Sequence, residues 1–152
     1  MEHVTDITRI IQLAVAPVFL LTAIGTILSA LNNRLGRIVD RRRVLLDRMR
    51  KGHPEGGQAE QDDIFELELL ARRIGLIYHS IVMAIVCALF VCLLVASAFL
   101  GVFVALDIAR LIGTLFILAM VALIGSLWLL LREVFLAVKV GRHDILVKDL
   151  LR

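Results

Sequence analysis

Four uncharged polar side chains interrupt the first apolar stretch of this chain: Gln12, Thr22, Thr26 and Ser29. At 100° per residue they fall within a sector of about 100°, and Thr8 and Asn33 extend the stripe at its two ends. Phe19 points into the same sector. In lipid, a polar side chain faces a neighbouring helix or a water-filled path. A hydroxyl stripe running from one membrane face to the other suits a weakly selective pore built from one such helix per subunit. In that reading Gln12, Thr22, Thr26, Ser29 and Asn33 line the path and Phe19 constricts it. Arg37 and Arg41 continue the stripe if the helix runs on past Asn33. They would set a positive ring at the inner mouth that mildly favours anions, with Arg34 beside them at the vestibule or against lipid or a partner. A kink at Asn32-Asn33 or at Gly36 would remove that ring.

The same residues also fit a packed interface. Thr and Ser hydroxyls in membrane helices bond their own backbone, and Gly25-x-x-x-Ser29 is a pair of small residues on or beside the stripe. Ser97-x-x-x-Gly101-x-x-x-Ala105 and Ala122-x-x-x-Ser126 repeat the pattern further along. Pro17 frees a backbone carbonyl about four residues earlier and can kink the outer third of the first helix.

Catalytic chemistry has less to work with. Cys87 and Cys92 project about 140° apart on a helix, which rules out a mutual disulfide or a shared metal face and reads as two buried small hydrophobes. His3, His53, His79 and His143 lack metal-ligand spacing, and His79 reads as an interfacial side chain. Glu133 is the only acid close to the inner end of an apolar stretch, expected to pair locally, with Arg132 of a neighbour as one partner. No acid–base pair, nucleophilic triad, phosphate loop or dinucleotide fingerprint is present. The expectation is a protein that is not an enzyme and needs no cofactor or metal.

The elements that position these residues are set by three stretches free of Asp, Glu, Lys and Arg: Ile10 to Leu31, Ile74 to Leu106 and Leu111 to Leu131. About 20 such residues cross a bilayer core as a helix. Composition agrees, with 60% hydrophobic residues. The first stretch lacks a basic leader and is longer than a signal-peptide core, so it reads as a retained span. The expected fold is all-α and integral to the membrane, one domain over 1–152 with spans at about 10–31, 80–106 and 111–131.

Lys and Arg number one before the first stretch, ten between Asn32 and Arg73, one between Asp107 and Arg110, and five after Leu131. Basic segments stay in the cytoplasm, so the N-terminus lies outside and the C-terminus inside. The basic segment places Leu35, Ile38, Val39, Leu45, Leu46 and Met49 on one helical face, with Asp40–Arg43 and Asp47–Arg50 or Lys51 at pairing distance. A turn over Gly52 to Gln58 precedes a helix expected to restart at Asp62-Asp63, its apolar face being Ile64, Leu67, Leu70, Ala71 and Ile74. These two helices predict a cytoplasmic antiparallel hairpin over about 33–75. The second helix should run unbroken into the membrane, with Tyr78 and His79 at the interface. Asp107 is a plausible cap for the third span. Residues 132–152 form a cytoplasmic tail, amphipathic through Ile145, Leu146, Leu150 and Leu151.

The run Ile11-Gln12-Leu13-Ala14 through Ala16-Pro17-Val18-Phe19-Leu20-Leu21, then Asn33-Arg34-Leu35-Gly36-Arg37-Ile38-Val39-Asp40-Arg41, resembles a family of small bacterial membrane proteins, domain of unknown function 2721. Glu68-Leu69-Leu70-Ala71-Arg72-Arg73 and Leu131-Arg132-Glu133-Val134 carry the same resemblance. It implies a three-span protein of the bacterial inner membrane, with Pro17, Asn33, Arg34, Arg37, Asp40, Arg41, Arg73, Arg132 and Glu133 in its motifs. It implies no activity. Two functions follow from the residues: a homo-oligomeric pore, or a structural or regulatory membrane protein whose cytoplasmic hairpin docks a protein partner. Expected partners are further copies of the chain, anionic lipids at the basic loop and that cytoplasmic protein, but not nucleic acid.

Overall fold

In the computed structural model the chain forms three long helices: α1 from Glu2–Lys51, α2 from Gly57–Val104 and α3 from Ala109–Leu150. The structure describes the backbone of 2–51, 57–104 and 109–150, and the side-chain surroundings of 15–51, 61, 63–101 and 109–138. Three helices are long and apolar enough to cross a membrane, within Val15–Lys51, Asp63–Gly101 and Ala109–Val138. The described residues are all-helical, as a multi-pass membrane protein requires, since a helix satisfies every backbone polar group internally.

Each helix runs past its apolar stretch. α1 continues through Pro17, Asn32-Asn33 and Gly36 to Lys51 without interruption. α2 begins at Gly57, upstream of the expected restart at Asp62-Asp63, because Gln58-Ala59-Glu60-Gln61 favours helix. Asp63 therefore lies inside α2, where it is buried. α2 then runs unbroken into its apolar stretch. α3 starts at Ala109, inside the expected turn, and absorbs the expected separate tail as far as Leu150. The turn residues 52–56, Asp107, and the side chains of Ile145, Leu146, Leu150 and Leu151 lie outside the described residues.

The chain divides into two compact units, Met1–Ala30 with Ile81–Ser126 and Leu31–Ser80 with Leu127–Arg152. In the first, Ile24, Ala84, Cys87, Val91, Leu94, Ala119, Ala122 and Ser126 are buried. Most are small, which lets helix backbones approach closely where lipid supplies no hydrophobic drive. Leu20, Leu21, Leu28, Phe90, Met120 and Leu123 pack around the core cluster. In the second unit the buried positions are Leu31, Ile38 and Leu45 of α1, Asp63, Leu70, Ile77 and Ser80 of α2, and Glu133 of α3.

Most of the buried positions among the described residues recur every seven residues: Ile24, Leu31, Ile38 and Leu45; Asp63, Leu70, Ile77, Ala84 and Val91; Ala119, Ser126 and Glu133. Ser80, Cys87 and Leu94 repeat the interval on a second line of α2. Seven residues in two turns keep a long helix in contact with its neighbours, whereas an ideal helical stripe drifts about 20° per heptad. This spacing changes the expected faces. Leu46 and Ile64 were assigned to apolar faces, yet they are exposed, as is Ala71. The physical reason is narrowness: a seven-residue seam buries fewer positions than the broad face of a short amphipathic helix.

Candidate functional site

From Thr22 to Asn33 the polar stripe of α1 is not covered by the described residues. Thr22, Thr26, Ser29 and Asn33 are exposed, and Phe19 is 72% exposed. The Thr22 hydroxyl donates to the Val18 carbonyl at 3.2 Å, and the Thr26 hydroxyl to the Thr22 carbonyl at 3.1 Å. These bonds to the preceding turn satisfy each hydroxyl proton while leaving the oxygens free to accept. The side chains of Gln12 and Thr8 lie outside the described residues.

Within the first unit the exposed faces differ in kind. Between Thr22 and Ala30 the exposed residues of α1 are Thr22, Ala23, Gly25, Thr26, Ser29 and Ala30, none larger than threonine. On α2 the exposed face carries Val82, Met83, Ile85, Leu89, Leu93 and Leu100. On α3 it carries Leu111, Phe116, Ile117, Leu118, Val121 and Ile124. Large aliphatic surfaces suit lipid chains, and small residues suit close approach by another helix. Two further hydroxyls of this unit bond their own helices, Ser97 to the Leu93 and Leu94 carbonyls and Thr114 to that of Arg110.

The second unit contains a three-helix ion cluster. Glu133 of α3 is 1% exposed and takes arginines from both other helices. Arg34 Nη1 donates to its Oε2 at 2.8 Å, while Arg73 donates to Oε1 from Nη2 at 2.7 Å and from Nε at 3.2 Å. Helical spacing alone offers Glu133 its neighbour Arg132, or Arg132 of another copy. The fold instead brings partners from 99 and 60 residues away. Both carboxylate oxygens are satisfied, so a charge that would be costly to bury alone is held in a clasp.

The other arginines divide into paired and unpaired. Arg41 meets Glu66 with Nε at 2.8 Å and Nη2 at 3.3 Å, tying the end of α1 to the start of α2. Arg43 lies 3.9 Å from Asp40, Lys51 2.7 Å from Asp47, and Arg72 3.1 Å from Glu68. The hydrogen bond to Asp47, reinforced by its charge, raises the Lys51 ammonium pKa above its ordinary value. Arg37, Arg42, Arg48, Arg50 and Arg132 are exposed and make no ion pair among the described residues. Of the three arginines assigned to the inner vestibule, Arg34 and Arg41 are thus held by acids, and Arg37 pairs with no acid among the described residues.

Two further residues stand where the spacing argument did not put both. Cys87 is buried as expected, but Cys92 is exposed, because five residues along a helix turn it to the outer face. His79 bonds the Gly75 carbonyl through Nδ1 at 2.7 Å and sits edge-on to Tyr78 at 5.9 Å. Among the described residues no group of three His, Cys, Asp or Glu could hold a metal ion.

No curated protein and no solved structure matches the chain. One family profile does, described as Protein of unknown function (DUF2721), over residues 14–143. That range takes in Pro17, the bare face of α1 from Thr22, all three members of the clasp, most of the apolar stretch of α1 and the whole of those of α2 and α3. By this match the chain belongs to the DUF2721 family.

Proposed function

We propose that the protein is a homo-oligomeric membrane pore, weakly selective, with α1 around the axis and α2 and α3 against lipid. One observation carries the reading: the outward face of α1 is small and polar from Thr22 to Ala30, where the other two helices present large aliphatic side chains. A face of that kind is poorly matched to lipid and well matched to a second helix or to water. A ring of such helices places Thr22, Thr26 and Ser29 along the path and Phe19 at a constriction. The chain sits in a bacterial inner membrane, N-terminus out, with α1 and α2 meeting as a cytoplasmic hairpin. It performs no covalent chemistry.

Native mass spectrometry of the protein in lipid nanodiscs tests the assembly. A closed ring of at least about four subunits is expected, because several α1 helices are needed to surround a path. Bilayer recordings then test the axis. Phe19→Ala should raise conductance severalfold and Thr26→Leu should lower it; unchanged currents in both remove α1 from the axis. A second reading is favoured by Val44, Leu46, Ile64 and Phe65, large apolar residues exposed beyond the uncharged stretches. It is a structural or regulatory protein that docks a partner there. A monomer without conductance, and a bound protein lost on deleting 33–73, would select it.

A further inference from the structure

We propose that Arg34 and Arg37, beside the Glu133 clasp, form a binding site for the phosphate of an anionic membrane phospholipid. The first ground is charge. Two guanidiniums meet one carboxylate in the clasp, which leaves one positive charge uncompensated. That surplus is accessible at Arg34, whose side chain is 38% exposed and uses only Nη1 in the contact. Arg37 stands one turn further along α1 and has no acid among the described residues. Residues three apart on a helix are neighbours, so the two guanidiniums can share one phosphate.

The second ground is depth. At 1.5 Å per residue, Arg34 and Arg37 lie about 5 and 9 Å along α1 beyond Leu31, where the first uncharged stretch ends. The headgroup layer is about 5–8 Å deep on each side of the hydrocarbon core, so Arg34 lies at its level and Arg37 just past its outer edge, from where a long side chain reaches back to the phosphates. Arg42 and Arg50 lie about 17 and 29 Å beyond Leu31. Both therefore lie past the headgroup layer by more than the Debye length of about 8 Å in physiological salt, so screening weakens any pull they exert on the surface.

The tyrosine and the tryptophan of the same unit fix the level independently. Tyr78 on α2 and Trp128 on α3 are both exposed. Each lies five residues, about 7.5 Å, to the membrane side of its helix's clasp residue, Arg73 and Glu133. Exposed Trp and Tyr rings collect at the border between hydrocarbon and headgroups. Placing the two rings there puts the clasp among the phosphates. The site does not depend on whether the α1 face lines a pore.

The test is native mass spectrometry of protein released from nanodiscs containing equal phosphatidylglycerol and phosphatidylcholine. The expected result is one phosphatidylglycerol retained per chain, without phosphatidylcholine. Retention should fall on the order of tenfold in both Arg34→Gln and Arg37→Gln, each of which removes a charge-assisted contact. Arg37 is outside the clasp, so its variant reads binding even if Arg34→Gln disturbs folding. Arg50→Gln, with the same change in net charge, should leave retention unchanged. Equal loss in Arg50→Gln would reduce the site to diffuse attraction and overturn it. So would equal retention of phosphatidylcholine, or displacement of the lipid by millimolar inorganic phosphate.

Discussion

Removing the Glu133 carboxylate leaves two guanidiniums facing each other with no anion between them. Breaking a buried ion pair from one side costs about 3–5 kcal/mol. The partial exposure of Arg34 and Arg73, 38% and 22%, places Glu133→Gln toward the lower end. A loss of about 3 kcal/mol is expected in denaturant titrations of the detergent-solubilised protein. Glu66→Gln serves as the comparison. Its bond to Arg41 lies on the surface, with side chains 37% and 52% exposed, and should change stability by less than about 1 kcal/mol. Equal losses would mean that the clasp is no more than another surface pair. From the chain alone, Glu133 was visible as a lone acid beside the end of an apolar stretch. Its partners were not, because a pairing across 60 and 99 residues has no local spacing to reveal it. The pairs at Asp40–Arg43, Asp47–Lys51 and Glu68–Arg72 do follow helical spacing, and the first two were legible for that reason.

At the scale of the element, α1 carries both a packed seam and a bare face. Ile24, Leu31, Ile38 and Leu45 recur at seven residues and meet the other helices, while Gly25, Thr26 and Ser29 face away. A Cβ built on Gly25 meets nothing within 4 Å, and the same holds for Gly113. The isolated chain therefore resists a larger side chain at neither position. If copies meet along α1, Gly25→Leu should shift the nanodisc population from ring to monomer, while Gly113→Leu on the exposed face of α3 leaves it intact. Parallel behaviour of the two variants would take the subunit contact away from this face. The stripe itself was readable by counting 100° per residue, because α1 proves to be one regular helix through Asn33 and Gly36. The seam was harder to read: in a stretch where nearly every residue is apolar, hydrophobicity does not mark the buried side. On α2 the buried residues of the apolar stretch include Ala84 and Cys87, less hydrophobic than the exposed Ile85 and Leu89.

For the whole molecule, the proposed orientation, drawn from the distribution of Lys and Arg, puts the basic end of α1 in the cytoplasm. In a background lacking Cys87 and Cys92, Arg50→Cys should react with an impermeant maleimide only after cells are opened. Ala109→Cys, at the start of α3, should react in intact cells. The reverse pattern would invert the chain and carry the clasp to the outer face. Three uncharged stretches, their lengths and the charge bias between them are local properties, and they determined by themselves an all-helical chain with three helices able to cross a membrane. Charge counting and side-chain hydropathy need no tertiary contact, since each segment meets water or lipid on its own account. Tertiary structure alone decided which arginines remain free, why Glu133 is buried, and which face of each helix looks inward. Those outcomes depend on residues distant in the chain arriving at one place, and in an apolar helix no local preference specifies the side on which a neighbour will pack.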